Sequence, residues 1–292
     1  MSLFVRFWGT RGSIPTPGFK TKRYGGNTSC VEIRNDTSVF ICDGGTGIRE
    51  LGLDLLRRTT PPPLHLFFSH MHWDHIQGFP FFVPAYGEQN VLSVYEIAPG
   101  QTRIRELLTG QMRSEYFPVT FSDLGARIQS GFLEHAGKLI DGVSVRCMAQ
   151  HHPGTSYAYS FEAEGKKVVY STDNELDLLL ADPVLALDQL EPLRLLPIDF
   201  VNFVRGADLL IADGQYTDDE YPKRIGWGHA RTNTVVDLAV QAEVKQCAIF
   251  HHDPMQTDDD VDRKLDRAQE RARRHGSNVL LFGAREGMEL RI

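Results

Sequence analysis

The sequence predicts an α/β fold, a single mixed domain over residues 1–292. Three observations carry that expectation. Short apolar runs of strand character recur along the chain and alternate with helical patterns in its second half. No linker, repeat or low-complexity tract divides it. His70, His152, Asp173, Asp213 and His251 all stand at or just past the C-terminal end of a predicted strand, the edge where α/β sheets collect functional groups.

The elements follow in order. LFVRFWG (residues 3–9) alternates and breaks at Gly9, and TSCVEIRN and SVFICDGG give two more strands. IRELGLDLLRR carries apolar residues at helical spacing and is stopped by Pro61, Pro62 and Pro63. LHLFFSH is a buried strand, and SVRCMAQHH is another that ends in paired histidines. YAYSFEAEGKKVVYSTDN predicts a hairpin turning at Glu164 and Gly165. A Leu-rich segment from Glu175 to about Leu196 predicts helix, and ADLLIADG predicts strand. The helix TNTVVDLAVQAEV, the strand QCAIFHHDP and a C-terminal helix from near Thr257 close the chain. That last helix opens on acidic residues and ends on Arg271, Arg273 and Arg274, the order its dipole favours.

Apolar residues make up 41% of the 292, enough for a large core. A net charge of −7 does not suggest a broad footprint for a long polynucleotide, although a local basic groove is compatible with it. The four cysteines are scattered without a C-x-x-C pair, as expected of reduced apolar residues. No apolar run approaches a membrane span and the first residues lack a signal-peptide pattern, so no membrane is expected and the cytoplasm is the default location.

The stretch SHMHWDHIQG (69–78) concentrates chemistry. In an extended segment His70 and His72 point to one side. Asp74 and His75 follow at once and need a turn to offer a second pair of donors. Imidazole with carboxylate suits zinc, and also manganese or iron. Two donor pairs from one loop suggest two divalent ions. His152, Asp173 and His251 supply the remainder: His70, His72 and His152 for one ion, Asp74, His75 and His251 for the other, Asp173 between them. Ions about 3.5–4 Å apart can share a hydroxide nucleophile.

These residues resemble the metallo-β-lactamase superfamily. FWGTRGSIPTPG, YGGNTSC, DGGTGIRELG, HWDHIQGFPFF, DLLIADGQYTDDEYP, GWGHA and HHDP are similar to a phosphodiesterase-like group close to ribonuclease Z and to the cyclic-phosphodiester hydrolase of phosphonate breakdown. The resemblance runs from about residue 4 to the C-terminus. It implies an αβ/βα sandwich, two mixed β-sheets flanked by helices, with the site at one edge; homodimers are common among such relatives. Two neighbouring pairs leave a choice of donor. The spacing to Ala158 and Tyr159 in those relatives favours His152 over His151, and the place after the strand favours His251 over His252. An acidic residue at Asp43 supports the metal-binding side chains in relatives, and it also suits the turn before Gly44 and Gly45.

For the reaction, the resemblance implies attack by a metal-bridging hydroxide on a small or cyclic phosphodiester, with Asp74 in the catalytic set and His229 as general acid. Asp213 is aligned with the carboxylate that orients this histidine, although the stretch ADGQ departs from the usual H-E-A-T. A polar turn residue before a helix is the plain alternative for His229. Lactone or thioester hydrolysis, or a metal-bound carrier or sensor without turnover, are competing functions. Only 20 residues separate His152 from Asp173, where ribonuclease Z inserts its tRNA-gripping arm, so tRNA is not expected as a substrate. Extra length at Pro99–His135 and Glu175–Phe203 is expected to form a lid.

Overall fold

The computed structural model describes residues 2–97, 104–134, 136–181 and 192–292. Strand alternation is what stacks its two sheets. In β1 (Phe4–Gly9) Val5 and Phe7 face inward; in β11 (Leu209–Asp213) Leu209 and Ile211 face inward while Leu210 and Ala212 face out. Two seven-stranded mixed sheets result, in the orders β14-β1-β2-β3-β4-β5-β6 and β13-β12-β11-β10-β9-β8-β7.

The first sheet holds β2 (Cys30–Arg34), β3 (Val39–Cys42), β4 (Leu64–Phe67), β5 (Val91–Ile97) and β6 (Arg127–Leu133), with β14 (Glu289–Arg291) beside β1. The second holds β7 (Lys138–Ile140), β8 (Val143–Gln150), β9 (Ser156–Ala163), β10 (Lys166–Ser171), β12 (Gln246–Phe250) and β13 (Leu280–Gly283). Strands β3 to β6 run parallel, as do β10 to β13; the rest pair antiparallel. An aromatic layer that includes Phe7, Phe40, Phe67, Tyr159, Phe161 and Phe250 fills the space between the sheets.

Helices cover the outer faces: α1 (Ile48–Leu55) and α3 (Ile104–Gln111) on the first sheet, α4 (Ile198–Val204), α5 (Thr232–Gln241) and α6 (Asp258–Arg274) on the second. Thr257 caps α6 in a capping box with Asp260, so the acidic start expected from sequence is where the helix begins. Among the described residues no helix is long and apolar enough to cross a membrane.

Two expectations change. Of the helix expected from Glu175 to about Leu196, residues 176–179 make a 3-10 turn and 192–196 are irregular, while 182–191 lie outside the described residues; α4 starts at Ile198, after Pro197. Pro192 and Pro197, at either end of the irregular stretch 192–197, lack the amide hydrogen a helix interior needs. In the Pro99–His135 segment, expected as a lid, described residues build part of the sandwich instead. Its residues 99–103 and His135 lie outside the described residues, but α3 covers the sheet and β6 pairs parallel with β5 as an edge strand. With most of its residues exposed or half-exposed and only Leu133 buried, β6 has little hydrophobic alternation to announce it.

Candidate metal centre

Strands of both sheets deliver polar residues to one edge. Asp43 follows β3, His70 follows β4, His152 follows β8, Asp173 follows β10, and His251 follows β12, while Asp213 ends β11. Asp43, Asp173 and His251 leave their strands in the left-handed conformation, at φ 64°, 53° and 56°. For non-glycine residues each such turn costs about 1–3 kcal/mol, so the surrounding bonds must hold it. His72 is extended, and the chain then makes one helical turn, α2 (Trp73–Ile76), which brings Asp74 and His75 back toward the same point.

Two sets of donors meet there. His152 Nε2 stands 3.1 Å from His72 Nδ1, and the ring nitrogens of His70, His72 and His152 form one compact group. In the other, Asp74 Oδ2 is 3.2 Å from His75 Nε2 and 3.1 Å from His251 Nε2, which are 3.3 Å from each other. Asp173 lies between: its Oδ1 is 3.3 Å from both His75 and His251, and its Oδ2 is 3.6 Å from His70 and 3.9 Å from His152. His151 points to solvent. His252 turns away and donates from Nε2 to the Ala284 carbonyl at 2.9 Å, so neither neighbour joins the cluster.

Electrostatics follow from burial and crowding. Burial pushes the His70 imidazolium down, and the neighbouring His75 adds to this. Burial opposes the charge on His75 too, but Asp74, Asp173 and Asp43 outweigh it and hold its pKa well up. Asp74 and Asp173 are buried, which alone would raise them, yet the histidines around them hold both well below the usual carboxylate range. His229 is buried, and Asp213 Oδ2, 2.8 Å from its Nδ1, overrides that and holds it up at about 9. Its ring packs against His152, His251 and Tyr216.

The donor set fits a divalent cation. Facing imidazole nitrogens at 3.1 and 3.3 Å repel as lone pairs unless a cation or proton stands between them. Those separations match the edge of a tetrahedron of ligands about 2.0–2.1 Å from zinc. His70 Nε2 is buried with no hydrogen-bond partner and faces the cluster.

Supporting bonds come from residues sequence reasoning left without a role. Ser13 donates its amide to Asp74 Oδ2 at 2.7 Å. Ser69 and Tyr170 donate to Asp43, whose Oδ2 accepts from His75 Nδ1 at 2.8 Å. The His152 Nδ1 proton goes to the Gly228 carbonyl at 2.9 Å. The stretches GTRGS and GWGHA signalled some of these positions, but backbone donors leave no residue-type signature. At the solvent side His72 is exposed, and so are Trp73 (64%) and Trp227 (61%).

Residues 39–252 match the family described as a beta-lactamase superfamily domain. The chain is 24% identical over 288 residues to ribonuclease Z of Natronomonas pharaonis, covering 86% of this chain and 87% of that protein. In structure it is similar to the metallo-beta-lactamase fold protein YhfI from Bacillus subtilis, with a TM-score of 0.68 at 15% identity over 100% and 99% of the two chains. Human tRNase Z, short form, gives 0.63 at 17% identity over 98% of each. These relatives correct the expectation that tRNA is not a substrate. Net charge sums over the whole surface, whereas phosphate feels charges within about 8 Å. A short His152–Asp173 spacing bears on one insertion point only.

Proposed function

The chain belongs to the β-lactamase superfamily of metal-dependent hydrolases, and from that membership we propose that it is a phosphodiesterase in which His229 protonates the leaving oxygen. The observation that carries this is the Asp213–His229 pair, 2.8 Å apart, with His229 Nδ1 only 3.8 Å from Asp173. In this reading residues 1–292 work as one domain; the pairing of β1 with β14 ties the two ends of the chain into one sheet.

His70, His72 and His152 would hold one divalent ion and Asp74, His75 and His251 a second, with Asp173 reaching both, and the nitrogen-rich donor set suits zinc, with manganese or iron as alternatives. When bound, such a pair supplies a water acidified to near neutrality as nucleophile and polarises the phosphoryl group. The residues do the rest. Asp43 holds the His75 ring from behind, and Ser13 holds Asp74. Asp213 accepts from His229 Nδ1, which leaves Nε2 to carry the proton that is transferred. Asp213 pulls the pKa of His229 upward, the direction a general acid needs. An ester that leaves as an alkoxide takes that proton as the P–O bond breaks. Small or cyclic phosphodiesters meet the requirement, and so do RNA phosphodiesters, which the ribonuclease Z relatives bring into the substrate class.

The test compares zinc- and manganese-loaded wild type with His229→Ala on bis-p-nitrophenyl phosphate, a cyclic nucleotide and a tRNA transcript, with metal content measured on the same samples. The expected result is turnover of at least one phosphodiester, and a loss of kcat on the alkyl esters by about 10²–10⁴ in a variant that keeps its metal. A metal-replete wild type that cleaves lactones or thioesters and no phosphodiester would overturn the reading.

A further inference from the structure

We infer that Glu175 is a positioning residue of this site, acting through Gly228 on both His152 and His229; it rests on the reading above for what those two histidines do. Glu175 is fully buried, two residues beyond Asp173. Its Oε1 accepts from the Tyr221 hydroxyl and the Gly226 amide, both at 2.7 Å, and its Oε2 accepts from the Gly228 amide at 2.7 Å. Gly228 is thus held from its nitrogen by Glu175, while its carbonyl receives the His152 Nδ1 proton. His229 is the next residue in the chain.

The loop cannot hold this shape unaided. Gly226 and Gly228 sit at φ 85° and 88°, and a Cβ on Gly228 would fall 2.1 Å from His152 Nδ1. Glycine is therefore required at 228, and its freedom, about 1–2 kcal/mol per residue or more, has to be offset by bonds from outside the loop. A buried carboxylate accepting backbone N–H groups supplies strong, charge-assisted ones. Asp177 does the same beyond His229: it accepts from the Arg231 amide at 2.8 Å and from Arg231 Nε at 2.7 Å. Two carboxylates from the turn after β10 so grip the loop on either side of His229, and the same turn supplies Asp173. One short segment sets the central carboxylate, the orientation of one imidazole donor and the place of the acid.

The test uses the full chain with Glu175→Ala, Glu175→Gln and Gly228→Ala. Three readouts are taken: melting of the metal-free protein, zinc affinity by competition with a chromophoric chelator, and kcat and KM on a phosphodiester. Partners behind a metal-bound histidine typically change affinity roughly 10–100-fold when removed. Glu175→Ala should therefore weaken one of two zinc-binding steps about tenfold or more, leave the other unchanged, and lower kcat with KM little altered. Glu175→Gln, which keeps an acceptor oxygen, should fall between it and wild type. Gly228→Ala should reproduce the single-step zinc defect with Glu175 intact. Wild-type zinc affinity and kcat in Glu175→Ala would overturn the inference. Equal weakening of both zinc steps alongside a collapse of metal-free melting in both Glu175 variants would overturn it too, because Glu175 would then support the fold at large. Zinc affinity is measured without substrate. A wild type that binds zinc but cleaves no phosphodiester would therefore defeat the proposed activity while the zinc data still decide the role of Glu175.

Discussion

Asp43 meets His75 at Nδ1, 2.8 Å away, on the side of the ring opposite the Nε2 atom that faces Asp74, Asp173 and His251. The carboxylate keeps a proton on Nδ1 and so directs the Nε2 lone pair into the cluster. It is itself held by Ser69, through amide and hydroxyl, and by the Tyr170 hydroxyl at 2.7 Å.

Asp43→Ala is expected to weaken zinc binding about 10–100-fold. It also strands the buried Tyr170 hydroxyl, at a cost of about 1–3 kcal/mol in stability. Asp43→Asn should do less, since its amide oxygen can still accept from Nδ1. Chelator competition and urea unfolding measure the two effects separately. Unchanged zinc affinity in the alanine variant would mean that packing alone holds the ring.

The Asp213–His229 pair predicts a leaving-group dependence. p-Nitrophenolate departs as a stable anion and needs little protonation, whereas an alkoxide needs a proton as the bond breaks. His229→Ala should thus lose much more kcat on an alkyl phosphodiester, about 10²–10⁴, than on the aryl ester. Asp213→Asn should shift in the same direction by less. Equal losses on both esters would point to a role for His229 in binding instead.

The metal cluster was legible because its residue types are chemically uncommon and lie at strand ends, where β4, β8, β10 and β12 deliver them. The spacing to Ala158 and Tyr159 had already favoured His152 over His151; in the fold His151 points to solvent, while His152 reaches His72. The supports were not legible. Ser13 acts through its amide, and Gly228 through its carbonyl and its amide, so each of these bonds has a backbone group at one end, which leaves no residue-type signature there. β6 was missed because its exposed edge position leaves little hydrophobic alternation, and the expected helix start after Glu175 is a 3-10 turn in the described residues 176–179.

Lys264 gives a pH signature separate from the metals. It is fully buried, which pushes its pKa down to about 8 against the pull of Glu220, Asp253 and Asp213; its ammonium donates to the Gln215 carbonyl and to Gln256 Oε1. Unfolded, it returns to about 10.4. Between these values the unfolded chain binds the extra proton, so stability rises with pH from about 8 to 10.4; below 8 the protein carries the full cost, about 3 kcal/mol. Lys264→Met should flatten that rise. Its gain at pH 7 should be smaller than the full cost, since two acceptors lose their donor. Urea unfolding at pH 7, 8.5 and 10 checks this; an unchanged slope in the variant would locate the titration elsewhere.

Gly12 shows how close the N-terminal loop comes to the cluster. A Cβ there would lie 2.5 Å from the Nδ1 and Cε1 atoms of His251, and the next residue, Ser13, holds Asp74 by its amide. The Gly12 amide donates to the His252 carbonyl at 2.9 Å, so the loop is pinned on both sides and cannot back away from an added methyl group. Gly12 does not lie in the left-handed region, so alanine brings no backbone strain and the whole clash falls on His251. Overpacking of this kind costs about 1–3 kcal/mol. Because the His251 ring is the part able to move, most of the effect should appear as weaker zinc binding at the Asp74–His75–His251 group, with metal-free melting close to wild type. A variant destabilised without metal yet binding zinc normally would show instead that the loop gives way and the ring stays put.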